Sequence, residues 1–172
     1  MRDLKIALIQ ANPAWEDIEA NLNRFQQTID RVEAGTHLIV LPEMFTTGFS
    51  MQPRCLAQPM DGSAVAWMKA RSRETGADIT GSLMIEENGS FYNRLIWVTP
   101  DGGMQWYDKR HLFRYAGEQK VYSSGRRHLL VECNGWRIRP FICYDLRFPI
   151  WTRNLDLVYD AAVFVANWPQ RR

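Results

Sequence analysis

Cysteine is scarce in this 172-residue chain: three stand at positions 55, 133 and 143. An odd number with no C-x-x-C spacing excludes a secreted disulfide framework, and the chain lacks the ligands of a structural zinc site, so no metal is expected. Free thiols point to a reducing compartment, and the expected localisation is cytoplasmic. Excess charge is missing as well. The 21 Lys and Arg against 19 Asp and Glu leave +2, too weak a bias for nucleic acid or an anionic membrane. No basic cluster is larger than Arg126-Arg127-His128. Long apolar runs are absent: nothing approaches the roughly 20 residues that cross a bilayer. The first apolar run is short and meets Asn12-Pro13, unlike a signal peptide, so a soluble protein that starts at its own beginning is expected. Repeats, linkers and low-complexity tracts are lacking too. What is present is 46% hydrophobic and 23% charged, with seven Trp and eight Phe. That is a globular composition with a packed core or an aromatic-walled pocket. The length suits one domain over residues 1–172.

Hydrophobic patterning orders the elements. Residues 4–11 read as a strand buried on both faces. Trp15, Ile18, Leu22, Phe25, Ile29 and Val32 then recur at helical steps, with Asn12 and Pro13 as cap and first-turn proline and Gly35 as stop. Residues 37–41 are a second apolar strand, so the opening is a βαβ unit with parallel strands. A second helix spans 63–75, capped by Ser63 and closed by Gly76. Strands at 77–86 and 91–99 flank Asn88-Gly89, a strong hairpin signal. Asp101-Gly102-Gly103 turns the chain into 104–109. Asn134-Gly135 joins strands at 128–133 and 136–143, a helical stretch follows around 150–157, and 161–166 is a last buried strand. The class is α/β with a mixed sheet.

Three polar residues stand at the ends of expected strands, where α/β folds place their sites. Glu43 follows the strand at 38–42, Lys109 closes 104–108 and Cys143 closes 137–142. Together a carboxylate, an ammonium and a thiol make a nucleophilic site. The carboxylate takes the thiol proton, and the cation stabilises thiolate and oxyanion. Each also has an ordinary reading: a solvated turn acid, a surface lysine, an inert core cysteine. His111 is a competing base or a loop anchor. Cys55 and Cys133 are expected in the core, and His37 and His128 in structural roles.

The local sequences narrow the choice. Leu41-Pro42-Glu43-Met44-Phe45, Tyr107-Asp108-Lys109-Arg110-His111-Leu112-Phe113 and Ile142-Cys143-Tyr144-Asp145-Leu146-Arg147-Phe148-Pro149 resemble the three signature blocks of the nitrilase (carbon–nitrogen hydrolase) superfamily, in the family's order. The resemblance implies a four-layer α-β-β-α sandwich with mixed sheets and a Glu–Lys–Cys triad, with Glu43 as base, Lys109 as oxyanion stabiliser and Cys143 as nucleophile. By the same resemblance Glu118, seven residues before Gly125, is the second glutamate that orients Lys109 or the attacking water. The Tyr144 backbone N–H completes an oxyanion hole. The stretches 42–51 and 110–118 look most like the omega-amidase branch, which hydrolyses the terminal amide of 2-oxoglutaramate and 2-oxosuccinamate through a Cys thioester. No cofactor is implied, the partner is a small-molecule amide, and a homodimer or higher oligomer is the family's habit. For the substrate's distal carboxylate Arg114, Arg147 and Arg172 are all candidates.

Family members continue past the last strand seen here with a further helix and strands. The expectation is therefore a fold whose C-terminal elements are missing and whose last strand has an uncovered edge. Two alternatives stay open: a weak or inactive nitrilase-like fragment acting as an interaction module, and an amidase of a sister branch acting on deaminated glutathione or carbamoyl amines.

Overall fold

The computed structural model describes residues 3–168. Strand β1 (Ile6–Leu8), helix α1 (Ile18–Ile29) and strand β2 (Leu38–Val40) form the expected βαβ unit, with β1 and β2 parallel. The chain then crosses through α2 (Pro53–Leu56) and α3 (Ser63–Thr75) to β3 (Asp78–Glu87), parallel to β2. Strands β4 (Ser90–Val98) and β5 (Met104–Asp108) add antiparallel hairpins, giving a sheet of order β1-β2-β3-β4-β5. A second sheet has the order β6 (Val131–Cys133), β7 (Trp136–Ile142), β8 (Ala161–Val165). Its β6–β7 hairpin turns at Asn134-Gly135, and β8 runs parallel to β7. Between them lies the short helix α4 (Pro149–Thr152).

Strand periodicity of two sorts the core into layers. Ile39 of β2 faces Phe25 and Ile29 of α1 and Val65 and Met68 of α3. Its neighbours Leu38 and Val40 face the other way, onto Ile138, Phe141 and Val165 of the second sheet. The run at 37–41 is continuously apolar because both its faces are covered. Emptying such a site, as Ile39→Ala would, costs about 2–5 kcal/mol. The order is thus helices, sheet, sheet, which is three of the four expected layers among the described residues.

Several expectations need correction. The N-cap of α1 is Asp17, whose carboxylate accepts from Ala20 N at 2.9 Å. Asn12 and Pro13 lie outside the helix, and Trp15 is exposed. The cap of α3 is Gly62, with Ser63 its first helical residue, while Gly76 closes it in the left-handed conformation as expected. Strand β1 is not buried on both faces: Ile6 and Leu8 are 40% and 73% exposed. It is an edge strand, and the narrower second sheet does not reach over it. Strand β8 is likewise only partly buried, with Ala162 exposed. The helix at 150–157 breaks after Thr152, because the Asn154 side chain bonds Tyr159 N and O in place of a helical ladder. Asp156 and Leu157 then take positive φ. Cys55 is exposed on α2 rather than in the core. No helix among the described residues is long and apolar enough to cross a membrane.

Candidate active site

The three strand-end residues converge. Glu43 follows β2 in a turn held by Met44, which takes φ 45° and donates its N–H to Ser82 Oγ at 2.9 Å. Lys109 follows β5, its N–H donating to Asn93 O and its carbonyl accepting from Gly125 N, both at 2.9 Å. Gly125 is obligatory there, since a Cβ would fall 2.1 Å from Asp108 O. Cys143 follows β7 and opens a 3-10 turn over Cys143–Arg147 with φ 41°. A non-glycine residue held left-handed is strained, a feature common at functional sites.

Glu43, Lys109 and Glu118 are all fully buried. Lys109 Nζ lies 2.8 Å from Glu43 Oε1, and 3.1 and 2.9 Å from Glu118 Oε1 and Oε2. Burial alone would lower the Lys109 pKa, but the two carboxylates more than offset it and hold the ammonium charged. Asn93 Nδ2 bridges the carboxylates, donating to Glu43 Oε1 at 2.8 Å and Glu118 Oε1 at 3.0 Å. Phe113 N donates to Glu118 Oε2 at 2.5 Å. Burial raises the Glu118 pKa, the Lys109 charge pulls it back and the Glu43 charge pushes it up again. Its close contacts are all N–H donors, the arrangement that fits a carboxylate.

The Cys143 thiol is pushed up to about 12, first by burial and then by the Glu43 charge, with Lys109 opposing. At rest it is a protonated thiol beside a base. A third buried carboxylate fixes its turn. Asp145 accepts from Ile142 N at 3.1 Å, from Tyr107 OH at 2.7 Å and from His111 N at 2.9 Å. The Cys143 turn is thereby tied to the loop that follows Lys109. His111 contacts Asp145 through Nδ1 at 2.8 Å and stacks on Phe148, so it anchors the loop as one of its two expected readings held. His37 and His128 bond the backbone at Lys5 N and Trp151 O.

A cavity of about 130 Å³ reaches the cluster, lined by Glu43, Phe49, Lys109, Phe113, Cys143 and Tyr144 among others. It holds about four water volumes, enough for the reacting end of a ligand. Beyond it lies an open vestibule of about 690 Å³ walled by Phe113, Tyr115, Tyr144 and Trp168, with Arg147 at its rim. Arg114 is exposed and lines neither cavity. Arg172 lies outside the described residues. Tyr144 stands in the first turn of the 3-10 helix, where an amide has no partner within the helix. Sequence reading passed over Asn93, Ser82 and Asp145. The only signal was a polar side chain inside an apolar strand or beside the candidate nucleophile.

The carbon-nitrogen hydrolase family model matches residues 5–159. An omega-amidase, YafV, of Escherichia coli (strain K12) is 45% identical over all of this chain and 66% of its own length. A 2-oxoglutaramate amidase of Bacillus subtilis (strain 168) is 29% identical over 97% of this chain and 66% of its own. The chain thus spans just under two thirds of the curated relatives it matches. The crystal structure of XC1258 from Xanthomonas campestris, a CN-hydrolase superfamily protein with an arsenic adduct in its active site, superposes with a TM-score of 0.96. It is 44% identical and covers all of this chain and 68% of its own.

Proposed function

As the chain belongs to the carbon–nitrogen hydrolase family, we propose that it is a thiol amidase of the omega-amidase type. Its substrates are small 2-oxo dicarboxylic acid monoamides, 2-oxoglutaramate and 2-oxosuccinamate, and its intermediate is a thioester on Cys143. The single observation that carries this reading is the fully buried Lys109 ammonium held between Glu43 and Glu118, with the strained Cys143 beside Glu43 at the head of a narrow cavity. The names of the omega-amidase and 2-oxoglutaramate amidase relatives support the substrate class.

Glu43 takes the thiol proton as Cys143 Sγ attacks the amide carbon, and the carbonyl electron pair moves onto oxygen. The oxyanion is stabilised by the Lys109 charge and the Tyr144 N–H, in a site from which water is largely excluded. Collapse breaks the C–N bond, Glu43 returns its proton to nitrogen, and ammonia leaves a Cys143 thioester. Water then enters, Glu43 takes one of its protons, and hydroxyl attack on the thioester frees the acid and restores the thiol. Glu118 keeps Lys109 in place. The narrow cavity admits the amide end, and Arg147 at the vestibule rim meets the distal carboxylate in charge-assisted hydrogen bonds. The three free thiols fit a cytoplasmic protein. Exposed Leu146, Ile150 and Leu157 after Cys143 support assembly as a homodimer or higher oligomer.

The test is ammonia release from 2-oxoglutaramate by this chain and by Cys143→Ala. Release that vanishes in the variant supports the reading. A folded chain that releases none would overturn it in favour of another amide or an inert module.

A further inference from the structure

Two carboxylates share one lysine here, and their hydrogen bonds say which can act as base. A carboxylate has about four acceptor positions. Those of Glu118 are filled: Oε1 takes Asn93 Nδ2 and Lys109 Nζ, and Oε2 takes Lys109 Nζ and Phe113 N. On Glu43 only Oε1 is filled, by Lys109 Nζ and Asn93 Nδ2, while Oε2 takes Asn167 N at 3.2 Å. One position on Oε2 is therefore not taken by an N–H donor, and the Cys143 side chain is a further hydrogen-bond partner of Glu43. Phe113 N and the second Lys109 contact make the difference at Glu118, while the one nitrogen of Asn93 serves both acids and fills Glu43 Oε1 beside Lys109.

The orientation of that amide is itself fixed. Ser82 Oγ donates to Asn93 Oδ1 at 2.8 Å and accepts from Met44 N at 2.9 Å. Reversing the amide would set Oδ1 against Glu43 Oε1 and Glu118 Oε1 and leave the Ser82 hydroxyl without its acceptor. All of these groups are buried, so such a reversal carries the full cost of unsatisfied polar atoms. The Asn93 backbone carbonyl also receives Lys109 N, so one residue sets the register of base and cation alike.

We infer that Asn93, oriented by Ser82, is a positioning residue: it saturates Glu43 Oε1 and leaves Oε2 as the oxygen that takes the Cys143 proton. This rests on the thiol-amidase reading for its consequence in turnover, but not for its consequence at the thiol. The titratable groups facing Glu43 are Lys109, Glu118, Cys143 and Tyr122, and the neutral donors are the Asn93 side chain and the Asn167 backbone N–H. Removing the Asn93 N–H leaves one N–H donor on each oxygen of Glu43, so Oε2 loses its distinction and the pH dependence of the thiol's reaction moves.

The experiment follows iodoacetamide labelling of Cys143, by peptide mass spectrometry, against pH in the wild type, Asn93→Ala and Ser82→Ala. Ammonia release from 2-oxoglutaramate is measured alongside. The acid limb of labelling is expected to move up by about one pH unit in Asn93→Ala, the size of one lost hydrogen bond to a charged group. Ser82→Ala shifts it the same way by less. Turnover by Asn93→Ala falls about tenfold or more in kcat with KM nearly unchanged. Acid limbs that stay at the wild-type pH in the folded variants would make Asn93 merely structural and overturn the inference. Should Asn93→Ala not fold, Ser82→Ala alone decides it. A wild type that labels with an acid limb but releases no ammonia sinks the amidase reading and leaves the Asn93 test intact.

Discussion

Replacing Glu43 by Gln removes one buried charge while keeping the shape of the side chain, and it lowers two observables for different reasons. In the wild type the Cys143 thiol is pushed up to about 12, so at pH 7 it is overwhelmingly protonated. Reactivity at neutral pH then depends on proton transfer to Glu43 during attack, a contribution worth about 10²–10⁴-fold in rate. Glu43→Gln should therefore lose ammonia release by that factor. The same carboxylate also pushes the thiol up by its charge, against the pull of Lys109. Without it Lys109 acts with less opposition, and the thiol should titrate below about 12. The assay pairs ammonia release with iodoacetamide labelling of Cys143 from pH 5 to 11, with circular dichroism to verify folding. Labelling should lose its neutral plateau and become a simple thiol titration with a lowered midpoint. Undiminished amide turnover, or a thiol midpoint that fails to fall, would refute the reasoning.

Lys109→Met leaves Glu43 and Glu118 buried without their cation, which costs about 3–5 kcal/mol and lowers the melting temperature of a chain this size by roughly 10 °C. Calorimetry showing a drop below about 2 °C would contradict the burial argument. Cys133 is held up to about 12 by burial, then by the charge and hydrogen bond of Asp78. Because the folded value lies above the unfolded one, near 8.5–9, its contribution is intact below about pH 8 and is lost as pH rises toward 12. Urea midpoints should thus fall more steeply from pH 8 to 10 in the wild type than in Cys133→Ala, and equal slopes would count against it. Arg147→Ala should raise KM for 2-oxoglutaramate about tenfold with little change in kcat, whereas Arg114→Ala should be near neutral. Equal effects of the two would remove Arg147 from its place.

Much of the fold was legible because the signals were local. Asn88-Gly89 and Asn134-Gly135 set their hairpins, and the apolar run at 37–41 announced a strand covered on both sides. The helix at 63–75 emerged with its expected bounds. What stayed hidden depends on distance along the chain. Leu8 reads as core, yet its burial is decided by how far the second sheet extends. The break after Thr152 comes from one asparagine side chain imitating backbone. At the site, Glu43, Lys109 and Cys143 stood out at strand ends and in the three local blocks, and Glu118 by its interval to Gly125; the structure brings the four side chains together. Asn93 meets Glu43 across 50 residues and Asp145 meets Tyr107 across 38, and no local pattern marks a polar residue in a strand as buried and bridging. Sequence left three arginines equal, and the vestibule rim separates Arg147 from Arg114.

The most direct measurement is the mass of the Cys143 peptide after rapid acid quench of the chain mixed with 2-oxoglutaramate. The account predicts an acyl adduct of the 2-oxo acid on Cys143, formed with release of ammonia and absent from Cys55 and Cys133. Ammonia release with no adduct on Cys143, or undiminished release from Cys143→Ala, would contradict it.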